Sequence, residues 1–146
     1  MSTQSATTLA YIAGFLDGDG SIYVRAKPNP AYRYGFQIAP YVVFFQSSQE
    51  TEFPNLMQKI GFGKMRIRKD GMYEFTIGKH EDLELFLQTI LPYLQLKRLQ
   101  AILMLEILAF KKQVSSAKDF EILLEMIEKF RTLNYSKKRI KRTLIP

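Results

Sequence analysis

The spacing of apolar residues changes period along the chain, and each period predicts a different kind of element. Residues 21–27 alternate strictly, with Tyr23, Arg25 and Lys27 on one side and Ile22, Val24 and Ala26 on the other. This alternation is typical of a half-buried strand. Near the C-terminus the spacing becomes helical, and one apolar stripe is formed by Phe120, Leu123, Leu124, Ile127 and Phe130.

Turn residues divide the chain between these periodic segments. The Asp70-Gly71 pair predicts a hairpin, because this dipeptide suits tight β-turns. Pro40 lies inside the second predicted strand and predicts an edge position or a bulge there, because proline cannot donate to a sheet ladder. Strands are expected at 21–27, 33–45, 64–68 and 72–77, and helices at 7–18, 50–60, 81–91, 96–111 and 119–133.

The order of these elements predicts one α+β domain over residues 1–146, with an αββαββα arrangement. Its four-stranded antiparallel sheet would carry helices on the apolar face and leave a polar, basic face for a partner. Residues 1–6 are expected to be a flexible N-terminus, and residues 135–146 a basic C-terminal tail.

The end of the first helix departs from local preference in two ways. Gly14 and Gly18 lie four residues apart, although each glycine costs about 1 kcal/mol relative to alanine inside a helix. Close approach of a second backbone would explain that cost. Asp17 and Asp19 follow at the C-terminal end, where the helix dipole disfavours anions, so a cation is expected to neutralise both. An ordinary polar turn is the alternative, whereas an EF-hand would require a glutamate spacing that is missing.

Composition narrows the chemistry further. The chain carries 21 basic and 14 acidic residues, a formal net charge of +7, which favours a polyanionic partner such as nucleic acid. It has no cysteine and one histidine, His80, which excludes disulfides, thiolate zinc sites and paired histidine ligands. The apolar run 9–16 is too short to span a bilayer and no export signal is visible. An intracellular location, in cytoplasm or an organelle and away from membranes, is expected.

The segment from Tyr11 to Gly20 resembles the LAGLIDADG motif of homing endonucleases, in its single-motif form. The similarity covers residues 9–133 and includes the element order, the turn at 27–29, Gln46 and the run 94–97. It implies a site-specific double-strand DNA endonuclease of intron homing, which hydrolyses phosphodiesters in a long, near-palindromic target. With one motif per chain it implies a homodimer, whose helices would meet at Ala13, Gly14, Asp17 and Gly18.

The same resemblance implies the catalytic residues. Asp19 would bind the metal, with the carbonyl of Gly18 as a second candidate ligand, while Gln46 would position water and Lys97 would face the phosphate charge. Mg²⁺ is the expected cofactor, with Mn²⁺ able to substitute and Ca²⁺ supporting binding without cleavage. Glu50 departs from the family pattern, because some relatives place a basic residue there. Either Lys97 acts without that support, or Arg98 or another cation substitutes.

The basic strand face supplies candidates for reading double-stranded DNA. Seven strand residues extend about 23 Å, or about seven base pairs. Arginine suits guanine and glutamine suits adenine in the major groove, and a solvated strand face is the alternative for each position. The candidates are Tyr23, Arg25, Lys27, Gln37, Tyr41, Arg66 and Arg68, with Asn29 and Tyr32 near the turn.

Two alternative functions remain. One is an RNA maturase that uses the same fold to bind intron RNA, and another is a non-cleaving DNA-binding regulator. The intact run from Asp17 to Gly20 argues against loss of catalysis but allows a double role as maturase. A regulator would tolerate loss of Asp19 without consequence. Nucleases with a D/E-x-K signature are disfavoured, because no such triplet falls on a predicted strand.

Overall fold

A computed structural model describes residues 1, 4–134 and 142–144. Part of the predicted segment 1–6 and most of the predicted basic tail 135–146 lie outside the described residues. The elements are α1 (Ala6–Asp19), β1 (Gly20–Pro28), β2 (Phe36–Ser47), α2 (Phe53–Gln58), β3 (Lys64–Ile67), β4 (Met72–Ile77), α3 (His80–Ile90), a 3-10 turn (Leu91–Tyr93), α4 (Arg98–Lys111) and α5 (Ala117–Leu133).

The strands form one antiparallel sheet in the order β1-β2-β4-β3. β1 pairs with β2 along its whole length, from Gly20 opposite Phe44 to Pro28 opposite Phe36. Helices α1, α3, α4 and α5 contact β1 or β2, and they cover the face that carries the apolar residues of the alternating pattern. The predicted α+β fold is therefore confirmed.

The core lies between this sheet and the helices, and aromatic rings form its centre. Phe44 of β2 is fully buried, and its ring centroid lies 5.8 Å from that of Phe15, 6.2 Å from Phe75 and 6.1 Å from Phe86. These separations are favourable for tilted aromatic pairs. Among the described helices, none is long and apolar enough to cross a membrane.

The prediction from Pro40 was wrong for the strand as a whole. β2 is a central strand, and Pro40 pairs with Val24 in a register without a bulge. β4, however, pairs with β2 only from Val42 onward. Pro40 thus lies in the half of β2 that has β1 as its one partner, and proline is tolerated in a strand with one open edge.

Several boundaries moved for local reasons. α1 begins at Ala6, because the Ser5 hydroxyl accepts a hydrogen bond from the Thr8 amide at 3.2 Å and caps the helix. β2 begins at Phe36 rather than residue 33, because residues 29–35 form a loop closed by the Asn29 amide and the Gly35 carbonyl. α2 is shorter than 50–60, with Pro54 in its first turn.

The hairpin at Asp70-Gly71 is confirmed, with a three-residue loop. The amide of Arg68 donates to the carbonyl of Met72 at 2.8 Å, and Gly71 has a φ of 81°, as hairpins of this loop length require. Arg66 consequently lies opposite Glu74.

We expect Phe44→Ala to lower the free energy of unfolding by about 3–5 kcal/mol, because it empties the centre of a packed core. Urea denaturation would measure the change. Ile122→Ala is the control, since Ile122 is exposed on α5. Equal losses in the two variants would contradict the assignment of Phe44 to the core.

Candidate active site and nucleic-acid interface

Helix α1 passes into strand β1 without a loop, and Gly20 makes this passage feasible. The Gly20 amide donates to the carbonyl of Leu16. A Cβ at Gly20 would lie 3.1 Å from the Leu16 backbone and would collide with the buried Leu16 side chain, so any larger residue would have to displace Leu16 and glycine suits the junction. Asp19, the last residue of the helix, is exposed at this junction.

Asp17 and Asp19 have different surroundings. Asp17 is buried, and its two carboxylate oxygens accept hydrogen bonds from the amides of Gln95 at 2.8 Å and Lys97 at 2.9 Å. The expectation that a cation neutralises both acids is therefore wrong for Asp17, because backbone N–H groups already stabilise its charge. Asp19 remains the motif acid available to a metal.

Lys97 lies beside the end of α1, as its predicted role requires. It is the N-cap residue of α4, and its Nζ donates to the main-chain carbonyl of Asp17 at 2.6 Å. The last carbonyls of a helix carry partial negative charge, which favours an ammonium there. The Lys97 ammonium thus binds a residue that precedes Asp19 by two positions in α1.

Gln46 lies near the same junction. It stands two residues beyond Phe44, the partner of Gly20, and its Oε1 accepts a hydrogen bond from the Ser47 amide at 2.9 Å. Gln46 and Glu50 both line a cavity of about 490 Å³ beside α1. Glu50 therefore places an acid on the same cavity wall as Gln46.

His80, the one histidine, belongs to another part of the molecule. It begins α3, and its Nε2 lies 3.2 Å from the carbonyl of Leu108 in α4. Burial lowers the pKa of His80, with Lys111 and Lys112 adding to the effect. Its described contacts include none with Asp19, Gln46 or Lys97, so proton transfer at the junction must use other groups.

One chain supplies few metal ligands. No group of three or more histidine, cysteine or acidic side chains suited to a metal occurs among the described residues. Asp19 and the exposed backbone of Gly18 fit a partial site for a hard cation that prefers oxygen. The remaining ligands would come from a phosphate, water or a second chain.

The open face of the sheet holds the candidate readers of β1 and β2 side by side. Tyr23 is paired with Tyr41, and Lys27 with Gln37. The rings of Tyr23 and Tyr41 are 5.3 Å apart, and the Arg25 guanidinium lies 5.4 Å from the Tyr23 ring centroid. The Lys27 Nζ donates to the Tyr41 hydroxyl at 3.3 Å. These contacts hold long side chains in place before any ligand arrives.

The hydroxyl of Tyr23 stays protonated near neutral pH. Burial raises its pKa above the usual value; Arg25 opposes the rise, and Tyr41 and Glu74 add to it. Tyr23 can therefore both donate and accept a hydrogen bond on this face.

Glu74 is a member of the open face that the sequence reasoning missed. It forms an ion pair and hydrogen bond with Arg66, which raises the pKa of the guanidinium. Arg68 similarly pairs with Asp70 at 3.0 Å. Exposed pairs of this kind contribute little to stability, so a phosphate or base edge could displace the acids. The signal was the hairpin register, which places Glu74 opposite Arg66.

The predicted turn residues differ in availability. The Asn29 side-chain oxygen accepts from the Ala31 amide at 3.0 Å and shapes the loop. Tyr32 lies in the same loop and is exposed by 45%, so its side chain is accessible to a ligand.

The predicted interface residues of α1 differ in exposure. Gly14 and Gly18 are exposed, and a Cβ on either would meet no atom within 4 Å, so the subunit itself does not require these glycines. Ala13 is fully buried within one chain. Its side chain cannot contact a second copy, and the prediction for Ala13 is wrong; the Asp17 carboxylate is buried likewise.

Comparisons with known proteins agree with this geometry. The chain is 37% identical over 134 residues to the DNA endonuclease I-CvuI of Chlorella vulgaris, covering 89% of this chain and 81% of that protein. It is 34% identical over 139 residues to the DNA endonuclease I-CreI of Chlamydomonas reinhardtii, covering 90% and 81%. A crystal structure of I-CvuI bound to the I-CreI target matches with a TM-score of 0.86 at 31% identity, over 92% of this chain and 86% of that one. Residues 12–114 match the LAGLIDADG endonuclease family, and the chain therefore belongs to that family.

Proposed function

We propose that this chain is the subunit of a site-specific, magnesium-dependent DNA endonuclease that cuts both strands of a long, near-palindromic target. The observation that carries the proposal is the α1–β1 junction, where an exposed motif acid, Asp19, lies near the Lys97 ammonium. I-CvuI has been crystallised with DNA in the presence of Mg, where the DNA was not cleaved, and in the presence of Ca, which supports the use of a divalent ion beside DNA.

The junction suits phosphodiester hydrolysis. A bound Mg²⁺ would lower the pKa of water and neutralise phosphate charge. Asp19, with the Gly18 carbonyl, would hold that ion. The Lys97 ammonium would stabilise the charge that develops on the phosphate oxygens, and the Gln46 amide would orient the attacking water. Water would add to phosphorus as the bond to the leaving oxygen breaks, with the attacking water giving a proton to solvent and the leaving oxygen taking one up from solvent.

Two copies are required for a double-strand break, because one junction serves one strand. The exposed face of α1 offers the contact surface, since Gly14 and Gly18 leave room for a close backbone. Three large apolar side chains are also exposed: Tyr11 on α1 at 62%, Leu96 between the two residues whose amides bind Asp17 at 76%, and Leu99 at the start of α4 at 63%. Two copies of net charge +7 would also double the attraction to DNA.

The open face of the sheet would read the target. β1 has nine residues, so it extends about 30 Å, or about nine base pairs. Two subunits would then cover roughly eighteen base pairs. Arg25 and Gln37 are placed for base edges, while Arg66 would first release Glu74.

We expect Asp19→Asn to abolish cleavage and leave the DNA dissociation constant within a few-fold, because the change removes a metal ligand and no DNA contact. The target would first be found by selecting cleaved duplexes from a randomised pool with Mg²⁺. Asp82→Asn, the same substitution in the first turn of α3, should cut normally. Normal cutting by Asp19→Asn would reject the metal assignment, and a wild type that binds without cutting would support a non-cleaving regulator.

Replacing Mg²⁺ by Ca²⁺ should preserve binding and stop cleavage, because calcium accepts looser coordination and activates water poorly. Mn²⁺ should restore cutting. Gel-shift and cleavage assays on one labelled duplex would measure both. Full cleavage after chelation of all divalent ions would contradict the metal-dependent mechanism.

Gly14→Leu should convert the dimer to monomers, because the added side chain would occupy the space that a second helix needs. Within one subunit the Gly14 Cβ direction is open, so circular dichroism should still show a folded chain. Sedimentation equilibrium would give the mass, with Ala109→Leu on exposed α4 surface as control. A dimeric Gly14→Leu would place the interface elsewhere.

A further inference from the structure

Asp17 has no role in the scheme above, yet its environment is unusual. Among the described residues it is the only buried one that carries a formal charge. A buried carboxylate is unfavourable unless hydrogen bonds replace its hydration. The hydrogen-bond partners of the Asp17 carboxylate therefore indicate its role.

Both carboxylate oxygens bind the segment that leads into α4. Oδ2 accepts from the Gln95 amide at 2.8 Å, and Oδ1 accepts from the Lys97 amide at 2.9 Å. Hydrogen bonds from N–H groups to an ionised carboxylate are about twice as strong as neutral ones. Asp17 thereby joins the end of α1 to a segment 78 to 80 residues away in sequence.

The same residue also holds the other end of the Lys97 side chain. Lys97 Nζ donates to the Asp17 carbonyl at 2.6 Å, so Asp17 binds both the main-chain amide and the terminal ammonium of Lys97. A lysine side chain has four flexible bonds and high rotamer entropy. Holding it at two points confines the ammonium to the junction that carries Asp19.

We infer that Asp17 is a positioning residue, which fixes the Lys97 ammonium beside the metal-binding end of α1 by capping the 95–97 segment with its buried carboxylate. This role rests on the proposed endonuclease function. It differs from a contact across the subunit interface, because the Asp17 carboxylate already has its partners within one chain.

A double-mutant cycle tests the inference with the complete dimeric protein. In Asp17→Asn, one oxygen is replaced by an NH₂ group that cannot accept from an N–H. Cleavage at saturating enzyme and Mg²⁺ should slow by about 10- to 100-fold, the range expected when a charge-assisted hydrogen bond is lost. The DNA dissociation constant should change less than about threefold, because no DNA contact is removed.

Lys97→Met completes the cycle, because it removes the ammonium and keeps the main-chain amide that Asp17 binds. If Asp17 acts through Lys97, the double variant should cut no more slowly than Lys97→Met alone, within about threefold. Rate losses that multiply would overturn the inference, since they would show that Asp17 acts independently of the ammonium.

Amide hydrogen exchange gives a second measurement on the free protein. Asp17→Asn should accelerate exchange at Gln95 and Lys97. Asp119→Asn is the matched control, because Asp119 also accepts a backbone hydrogen bond, from Ser115 at 3.1 Å. That variant should affect Ser115 and leave cleavage unchanged. Unaltered exchange at Gln95 and Lys97 in Asp17→Asn would overturn the inference.

The two measurements separate the two proposals. A wild type that never cleaves DNA would count against the endonuclease, while exchange would still report whether Asp17 holds residues 95–97. If Asp17→Asn fails to fold, Asp17→Ser removes the buried charge and keeps one acceptor, and the same cycle applies. A Ser variant that cleaves at the wild-type rate would overturn the inference.

Discussion

The direct passage of α1 into β1 is the constraint on which the rest of the structure depends. Because Gly20 packs against the Leu16 backbone, no flexible loop separates the motif helix from the first strand. Asp19 and the side chains of Tyr23 and Arg25 therefore belong to one rigid frame. The distance between the candidate metal site and the strand face is then fixed by backbone geometry rather than by side-chain adjustment, as preorganised sites require.

Electrostatics on the open face are more balanced than the net charge suggests. Glu74 pairs with Arg66 and Asp70 with Arg68, so the arginines of the β3 hairpin face solvent with acids attached. Such exposed pairs are weak and salt-sensitive. The β1 cations contact aromatic rings, with Arg25 near Tyr23 and Lys27 near Tyr41. Arg68 also lies 5.7 Å from the Phe45 ring centroid. On this face Arg25 and Lys27 have no acidic partner among the described residues to give up. Arg66 and Arg68 must each release a carboxylate before they can bind a phosphate or a base.

Local sequence signals predicted most of the fold. Strict alternation in 21–27 gave β1 and its polar face, and Asp70-Gly71 gave the hairpin between β3 and β4. These signals succeed because strand alternation and turn conformation depend on near neighbours. The Pro40 prediction failed because the position of a strand in a sheet depends on where its partners end, and β4 reaches β2 only at Val42.

The sequence by itself determined the family, the motif acids and the face on which the basic strand residues lie, because motif spacing and periodicity are properties of the linear chain. Only the tertiary structure decided that Asp17 is buried and Asp19 is exposed. Asp17 meets the amides of Gln95 and Lys97, and Ala13 enters the core while Gly14 stays exposed. Hydrogen bonds between residues 80 positions apart, and the burial of one helix side, arise only when separate elements pack together.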